Sequence, residues 1–169
     1  MLRLMGAVLV ALGGTWLGFR AADGLRRQVR ELRRMAAGLA VLEGELELNA
    51  PPLAQLLGRG ARYSEGGARE LFQACAQGLD RLDREDFPSL WRRQTGRQNE
   101  LGPEGQAVLA SLADILGRCE LQRQQQALAA ARRRLEELAG QREQDCRSRG
   151  RVYQALGVSG GAFLIILLL

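Results

Sequence analysis

Leu25 to Leu46, LRRQVRELRRMAAGLAVLEGEL, is the stretch that decides the fold. Leu25, Leu32, Leu39 and Leu46 recur every seven residues, with Met35 and Leu42 on the adjoining stripe. That period lays one apolar seam along a helix and suits no strand. Most of the intervening residues are Arg, Glu, Gln and Ala, all good helix formers. The other segments between Gly and Pro are equally rich in Leu, Ala, Glu, Gln and Arg, and strand formers such as Val, Ile, Thr and Tyr are scarce. The expected fold class is all-α, and 169 residues suffice for one domain with a modest core.

Moving toward the N-terminus, the seam meets a basic cluster. Between Arg20 and Arg34 six Arg, including Arg26 and Arg27, stand against Asp23 and Glu31. Before that cluster lies LMGAVLVALGGTWLGF (Leu4 to Phe19), 16 residues without a charge. Extended to residues 1–22 it would make a helix of about 30 Å, close to the hydrocarbon thickness of a bilayer. The C-terminus mirrors this arrangement. Four Arg between Arg142 and Arg151, among them Arg149, precede the uncharged 18-residue run VYQALGVSGGAFLIILLL (Val152 to Leu169). Trp16 and Tyr153 fall near the Arg-rich ends, where aromatic residues sit at a membrane interface. The rest, Met35 to Gln141, has 13 Arg and 15 acids, a net charge of −2. The basic excess therefore flanks the apolar termini, which argues against a nucleic-acid footprint.

Two retained transmembrane helices, residues 1–22 and 152–169, are expected on either side of a helical domain at 23–151. The rival for the first run is a cleaved signal peptide. Its n-region holds only Arg3, and Arg20 spoils the small-x-small site before Ala21 and Ala22. The rival for the second is a buried core helix. With Arg clusters on the inner side of both spans, the middle domain is expected in the cytosol and both termini outside. Gly14 and Gly18, and Gly157 and Gly161, are spaced four apart and would allow close helix approach in lipid.

Toward the C-terminus, Asn49 with Pro51-Pro52 ends the first helix. Short helices are then expected from Pro51-Pro52 to about Gly58, and from Ser64 past Leu79. Asp86 should cap the next, with Pro88 in its first turn. A further helix should start at Pro103, bury Val108, Leu109, Leu112, Ile115 and Leu116, and end at Gly117. A long last helix carries Leu121, Leu128 and Leu135 with Leu138 beside them, running into the second apolar run without a proline. The whole is a membrane-anchored helical hairpin of about six helices, its long terminal helices packed antiparallel.

Several chemistries are excluded. All 24 basic residues are Arg and there is no His, which removes histidine bases, Ser–His and Cys–His nucleophile pairs and most zinc sites. Cys75, Cys119 and Cys146 are odd in number and lack CxxC spacing, so a disulfide framework is not expected. Walker A, GxGxxG and GxSxG motifs are absent. Glu43, Glu45 and Glu47 form the densest acidic group within a helix, but this face offers too few oxygens for Ca²⁺ or Mg²⁺. With the Pro51-Pro52 turn it is the expected partner-contact region. Asp80, Asp83, Glu85 and Asp86 alternate with Arg81 and Arg84 and read as a solvated turn. No cofactor, metal, nucleic acid or small-molecule substrate is expected, and the chain reads as a non-enzyme. Two functions fit: a structural subunit of a membrane complex, which allows a homo-oligomer, or a membrane-anchored coiled-coil regulator or sensor.

The chain resembles the stage III sporulation protein AB family of endospore-forming bacteria over essentially its full length. The resemblance rests on Leu4 to Leu9 with Gly18-Phe19, Gln28 to Arg33, and Leu42 to Leu46. It continues in Pro52-Leu53, Leu116-Gly117 with Glu120 and Gln124, and Tyr153 to Gly157. Pro51 stands where the family often has a small polar residue, and Ala113 where glycine is usual. The resemblance implies a scaffold subunit of the channel-like complex around the engulfed forespore, similar to platform proteins of type II secretion and type IV pilus systems. It also implies, as partners, other products of the same sporulation operon, including a secretion-type ATPase.

Overall fold

The computed structural model describes the backbone of residues 2–79 and 86–168, and the side chains of residues 23–79 and 86–145. Six α-helices, one 3-10 turn and no strand are found among the described residues: α1 (Leu2–Asn49), α2 (Leu53–Tyr63), α3 (Gly66–Leu79), α4 (Phe87–Gly96), the 3-10 turn (Asn99–Leu101), α5 (Gly102–Ala110) and α6 (Leu121–Leu168). The chain divides into two units, residues 28–140 and residues 1–27 with 141–169.

Unit 28–140 holds the core. The α1 seam turns inward as its period requires: Leu32, Met35, Leu39, Leu42 and Leu46 are buried. From α6, Leu128, Leu135 and Leu138 join them. Arg132 of α6 reaches Glu43, near the end of α1, with Nε 3.2 Å from Oε2. Leu32 and Leu135, early in α1 and later in α6, flank Gly105 together. The two helices therefore run antiparallel through this unit.

The short helices close the bundle. Gly38 lets α3 pass against α1: a Cβ there would stand 2.8 Å from Ala68 Cβ and 3.0 Å from Phe72 Cε2. Glu31 Oε2 accepts the Gly67 N–H at 3.0 Å, so a carboxylate from α1 satisfies one of the orphan donors that open α3. Gln28 Nε2 donates to the Leu101 carbonyl at 3.2 Å and ties the 3-10 turn to α1. Trp91 of α4 is buried between Phe72 and Phe87, with ring centroids at 6.4 and 5.8 Å. Its indole N–H donates to the Leu109 carbonyl at 2.7 Å, joining α4 to α5.

Four local expectations are corrected. The helix after Pro51-Pro52 runs to Tyr63 rather than about Gly58, because Gly60 is buried beneath Leu42 and Phe72 while Gly58 lies in open space on another face. Ser64 is the extended residue closing α2, and α3 starts only at Gly66. The helix opened by Pro103 ends at Ala110; residues 111–119 continue as turns with i→i+3 bonds such as Leu112 to Leu109 and Ile115 to Leu112. Gly117 reverses the chain at the end of those turns, with φ +75°. Leu121, expected in the seam of the last helix, is instead 42% exposed, because α6 starts there with nothing of α1 beyond Asn49 to cover it.

In the other unit Leu25 is half-buried, and Asp23, Arg26 and Arg27 are exposed. Among the described residues no helix is long and apolar enough to cross a membrane. The two apolar runs, Arg20, Arg149 and Arg151, Trp16 and Tyr153, and the glycine pairs Gly14/Gly18 and Gly157/Gly161 lie outside the described side chains. Cys146 and the charged turn at 80–85 also lie outside them.

Cys75 is fully buried on α3, and burial pushes its thiol from 9.0 up to about 12, although Arg93 pulls the other way. A thiol that keeps its proton is a poor nucleophile. An impermeant maleimide at pH 8 is therefore expected to modify Cys119, which is half-exposed, and to leave Cys75 unmodified in the folded protein. Mass spectrometry of the labelled peptides checks this; equal modification of both would contradict the burial. The unfolded thiol ionises near 9.0 while the folded one resists to about 12, so stability should fall as pH rises through that window.

Candidate functional site

The expected contact region lies where α1 ends. Asn49 is its last residue, and the Ala50 N–H still donates to the Leu46 carbonyl at 3.3 Å. Ala50 has φ +41°, a left-handed conformation that closes many helices but is usually filled by glycine. Pro51 then forbids another helical turn, and α2 starts at Leu53 with Pro52 before it. Replacing Ala50 by glycine is expected to stabilise the fold by about 0.5–1 kcal/mol, since the left-handed penalty outweighs glycine's extra chain entropy. Thermal unfolding of Ala50→Gly measures this; a lowered Tm would refute it.

The three glutamates differ in their surroundings. Glu45 Oε2 accepts from Arg59 Nη1 at 2.8 Å, and Glu43 is held by Arg132, which also reaches Glu136 at 3.1 Å. Glu43 raises the pKa of the Arg132 guanidinium, with Glu136 adding to it. Glu47 is exposed, with no ion pair among the described residues. Two of the three acids thus stitch α1 to α2 and α6, and one faces out. Charge reversal at Glu43 or Glu45 would break the bundle's own pairs before it reported on any partner.

Beside them lies a cleft of about 230 Å³ lined by Leu46, Ala50, Pro51, Leu53, Leu56, Gly117, Leu121 and Gln124. It is smaller than the roughly 300–1,000 Å³ of small-molecule sites. Gln124 braces its wall, accepting the Gly117 N–H at 3.3 Å and donating to the Cys119 carbonyl at 2.6 Å. A Cβ on Gly117 would stand 2.7 Å from Leu53 Cδ2, so the glycine lets the turn close over α2. Pro51 belongs to this cleft and Pro52 is exposed next to it. Leu53, Leu56, Gly117 and Leu121 were not expected at the site. Gly117 carried a helix-end signal and Leu121 a place in the expected seam of the last helix, but only the bundle brings them against the end of α1. Among the described residues no group of three or more His, Cys, Asp or Glu could hold a metal.

Comparison with known proteins gives concordant results. A family model described as Stage III sporulation protein AB matches residues 3–169. The chain is 27% identical, over 176 aligned positions covering all of both proteins, to Stage III sporulation protein AB of Bacillus subtilis (strain 168). A solved structure of Stage III sporulation protein AB (SpoIIIAB) has a TM-score of 0.61 at 22% identity, covering 72% of this chain and 97% of that one, and bears on the fold alone. A match from residue 3 to residue 169, carried by a helical domain of the same fold, leaves one conclusion: the chain belongs to the stage III sporulation protein AB family.

Proposed function

We propose that the chain is a non-enzymatic structural subunit of a sporulation-specific, secretion-like complex between mother cell and forespore, docking partner proteins through its helical domain. The observation that carries this reading is the end of the bundle. There, in a chain of a sporulation family, an open cleft of mixed polar and apolar surface, with exposed Leu121 in its wall, lies beside exposed Glu47 and Pro52. A small cleft with leucine side chains in its wall and a polar rim is a form that protein-anchoring sites take. The uncharged runs 4–19 and 152–169, flanked by Arg20, Arg26, Arg27, Arg149 and Arg151, support a two-pass anchor with the middle domain in the mother-cell cytosol. The partners in this reading are other proteins of the same operon, including a secretion-type ATPase.

Deleting the gene in its native host is expected to collapse the yield of heat-resistant spores after engulfment has finished. Normal spore yield would reject the proposal. Glu47→Arg tests the docking site within it, since Glu47 makes no ion pair among the described residues: co-purification with the operon's proteins should drop while thermal stability stays unchanged.

A further inference from the structure

α1 ends in a run of carbonyls that its own chain leaves open. The Ala50 N–H serves only the Leu46 carbonyl, at 3.3 Å. A helix closed by a left-handed residue often gains a second bond from the N–H that follows. Here Pro51 and Pro52 follow, and neither has one. The carbonyls of Glu47, Leu48 and Asn49 therefore have no backbone donor among the described residues. They point along the helix axis past its last turn, at the negative end of the helix dipole. The next two residues, Ala50 and Pro51, line the cleft of about 230 Å³.

Side-chain charge there has the same sign. Glu47 and Glu120, next in the chain to the lining residues Leu46 and Leu121, are exposed and make no ion pair among the described residues. Against them stands Arg123, beside Gln124, while Arg118 is already drawn to Asp86 at 3.6 Å. Leu53, Leu56 and Leu121 supply apolar surface in the same cleft.

We infer that the cleft receives an arginine or lysine side chain of another protein, its methylene stem against Leu53 and Leu121 and its charged head donating to the open carbonyls and Glu47. Long basic side chains bury their stems on apolar surface while the head keeps polar partners. A helix C-terminus favours positive charge, and an ammonium or guanidinium brings several N–H donors and no acceptor. A carboxylate or phosphate would instead meet like charge. The inference rests on the scaffold reading above and adds the chemistry of the group its partner presents.

The test places a photo-reactive benzoylphenylalanine at Leu48, 79% exposed beside Glu47, in the full-length protein in sporulating cells. The same residue at exposed Gln73 on α3 is the control. The expected product is an adduct to another protein that the control does not give. Its yield should fall about tenfold with Glu47→Arg, and less with Glu47→Gln. Changing one Arg or Lys of the captured segment to Glu should then restore capture by the Glu47→Arg protein. An undiminished yield with Glu47→Arg overturns the inference. So does an adduct to a second copy, none above the control, or a captured segment in which no such reversal restores the yield. The two readings fail separately. If Leu48 captures nothing but deletion still abolishes heat-resistant spores, the scaffold reading stands and this inference falls; normal spore yield rejects the scaffold reading whatever Leu48 captures.

Discussion

Replacing Trp91 with alanine is expected to lower the unfolding free energy by about 3–5 kcal/mol, the largest effect of any single truncation in this core. The indole is fully buried against Phe72 and Phe87, and it links three helices at once: α3 through Phe72, α4 through its own backbone, and α5 through the Leu109 carbonyl. No polar side chain stands ready to fill the space. Since domains of this size are stable by only about 5–15 kcal/mol, the variant should be marginal at 37 °C. Trp91→Phe separates the contributions. It keeps an aromatic ring between Phe72 and Phe87 but removes the donor to Leu109. That carbonyl retains the Leu112 N–H at 3.1 Å, so the lost bond should cost about 1 kcal/mol beyond the change in volume. Urea titration followed by circular dichroism measures both. A loss below about 1 kcal/mol for Trp91→Ala would mean that α4 is not part of the cooperative core.

The second large effect is a contrast within a single helix. Gly38 and Gly44 both interrupt α1, and each should weaken an isolated helix by about 0.5–1 kcal/mol relative to alanine. Their surroundings differ. A methyl at Gly38 would be driven onto Ala68 Cβ and Phe72, both fully buried, with nowhere to move. A methyl at Gly44 meets nothing within 4 Å. Overpacking costs about 1–3 kcal/mol, so Gly38→Ala should destabilise despite its gain in helix propensity. Gly44→Ala should stabilise. The pair measured by thermal unfolding should therefore shift Tm in opposite directions, and shifts of the same sign would show that α1 and α3 are not in close contact at Gly38.

Most of the fold was legible in the residues because its helices announce themselves locally. The seven-residue period through Leu32, Leu39 and Leu46, the Pro51-Pro52 stop, Pro88 in the first turn of α4 and Pro103 at the start of α5 each act within a few residues of their own position. The misread boundaries have the opposite character. Glycines at 58 and 60 look like the end of a helix, yet α2 continues through them because Leu42 and Phe72 cover Gly60. The turns at 111–119 look like helix because their apolar residues keep helical spacing, while Leu112, Ala113 and Leu116 are buried in a segment that mixes i→i+3 and i→i+4 bonds instead of keeping a regular α-helical ladder.

The candidate site divides in the same way. The acidic end of α1 and its proline turn could be read directly, since Glu43, Glu45, Glu47 and Pro51 are neighbours in the chain. That Glu43 and Glu45 are already engaged could not be read, because Arg132 lies 89 residues from Glu43 and Arg59 lies on another helix. Nor could the cleft, whose walls come from α1, α2, the Gly117 turn and the start of α6.

The sequence by itself determined the class of the fold, the inward face of the two long helices, the exclusion of histidine-based chemistry and the placement of charge beside the apolar termini. These follow from periodicity and composition, which need no partner to be expressed. Tertiary structure alone decided which carboxylates pair within the bundle and which glycine is indispensable. Each of those depends on what another helix brings within a few ångströms, and side-chain contact is a property of the packed bundle rather than of any one segment.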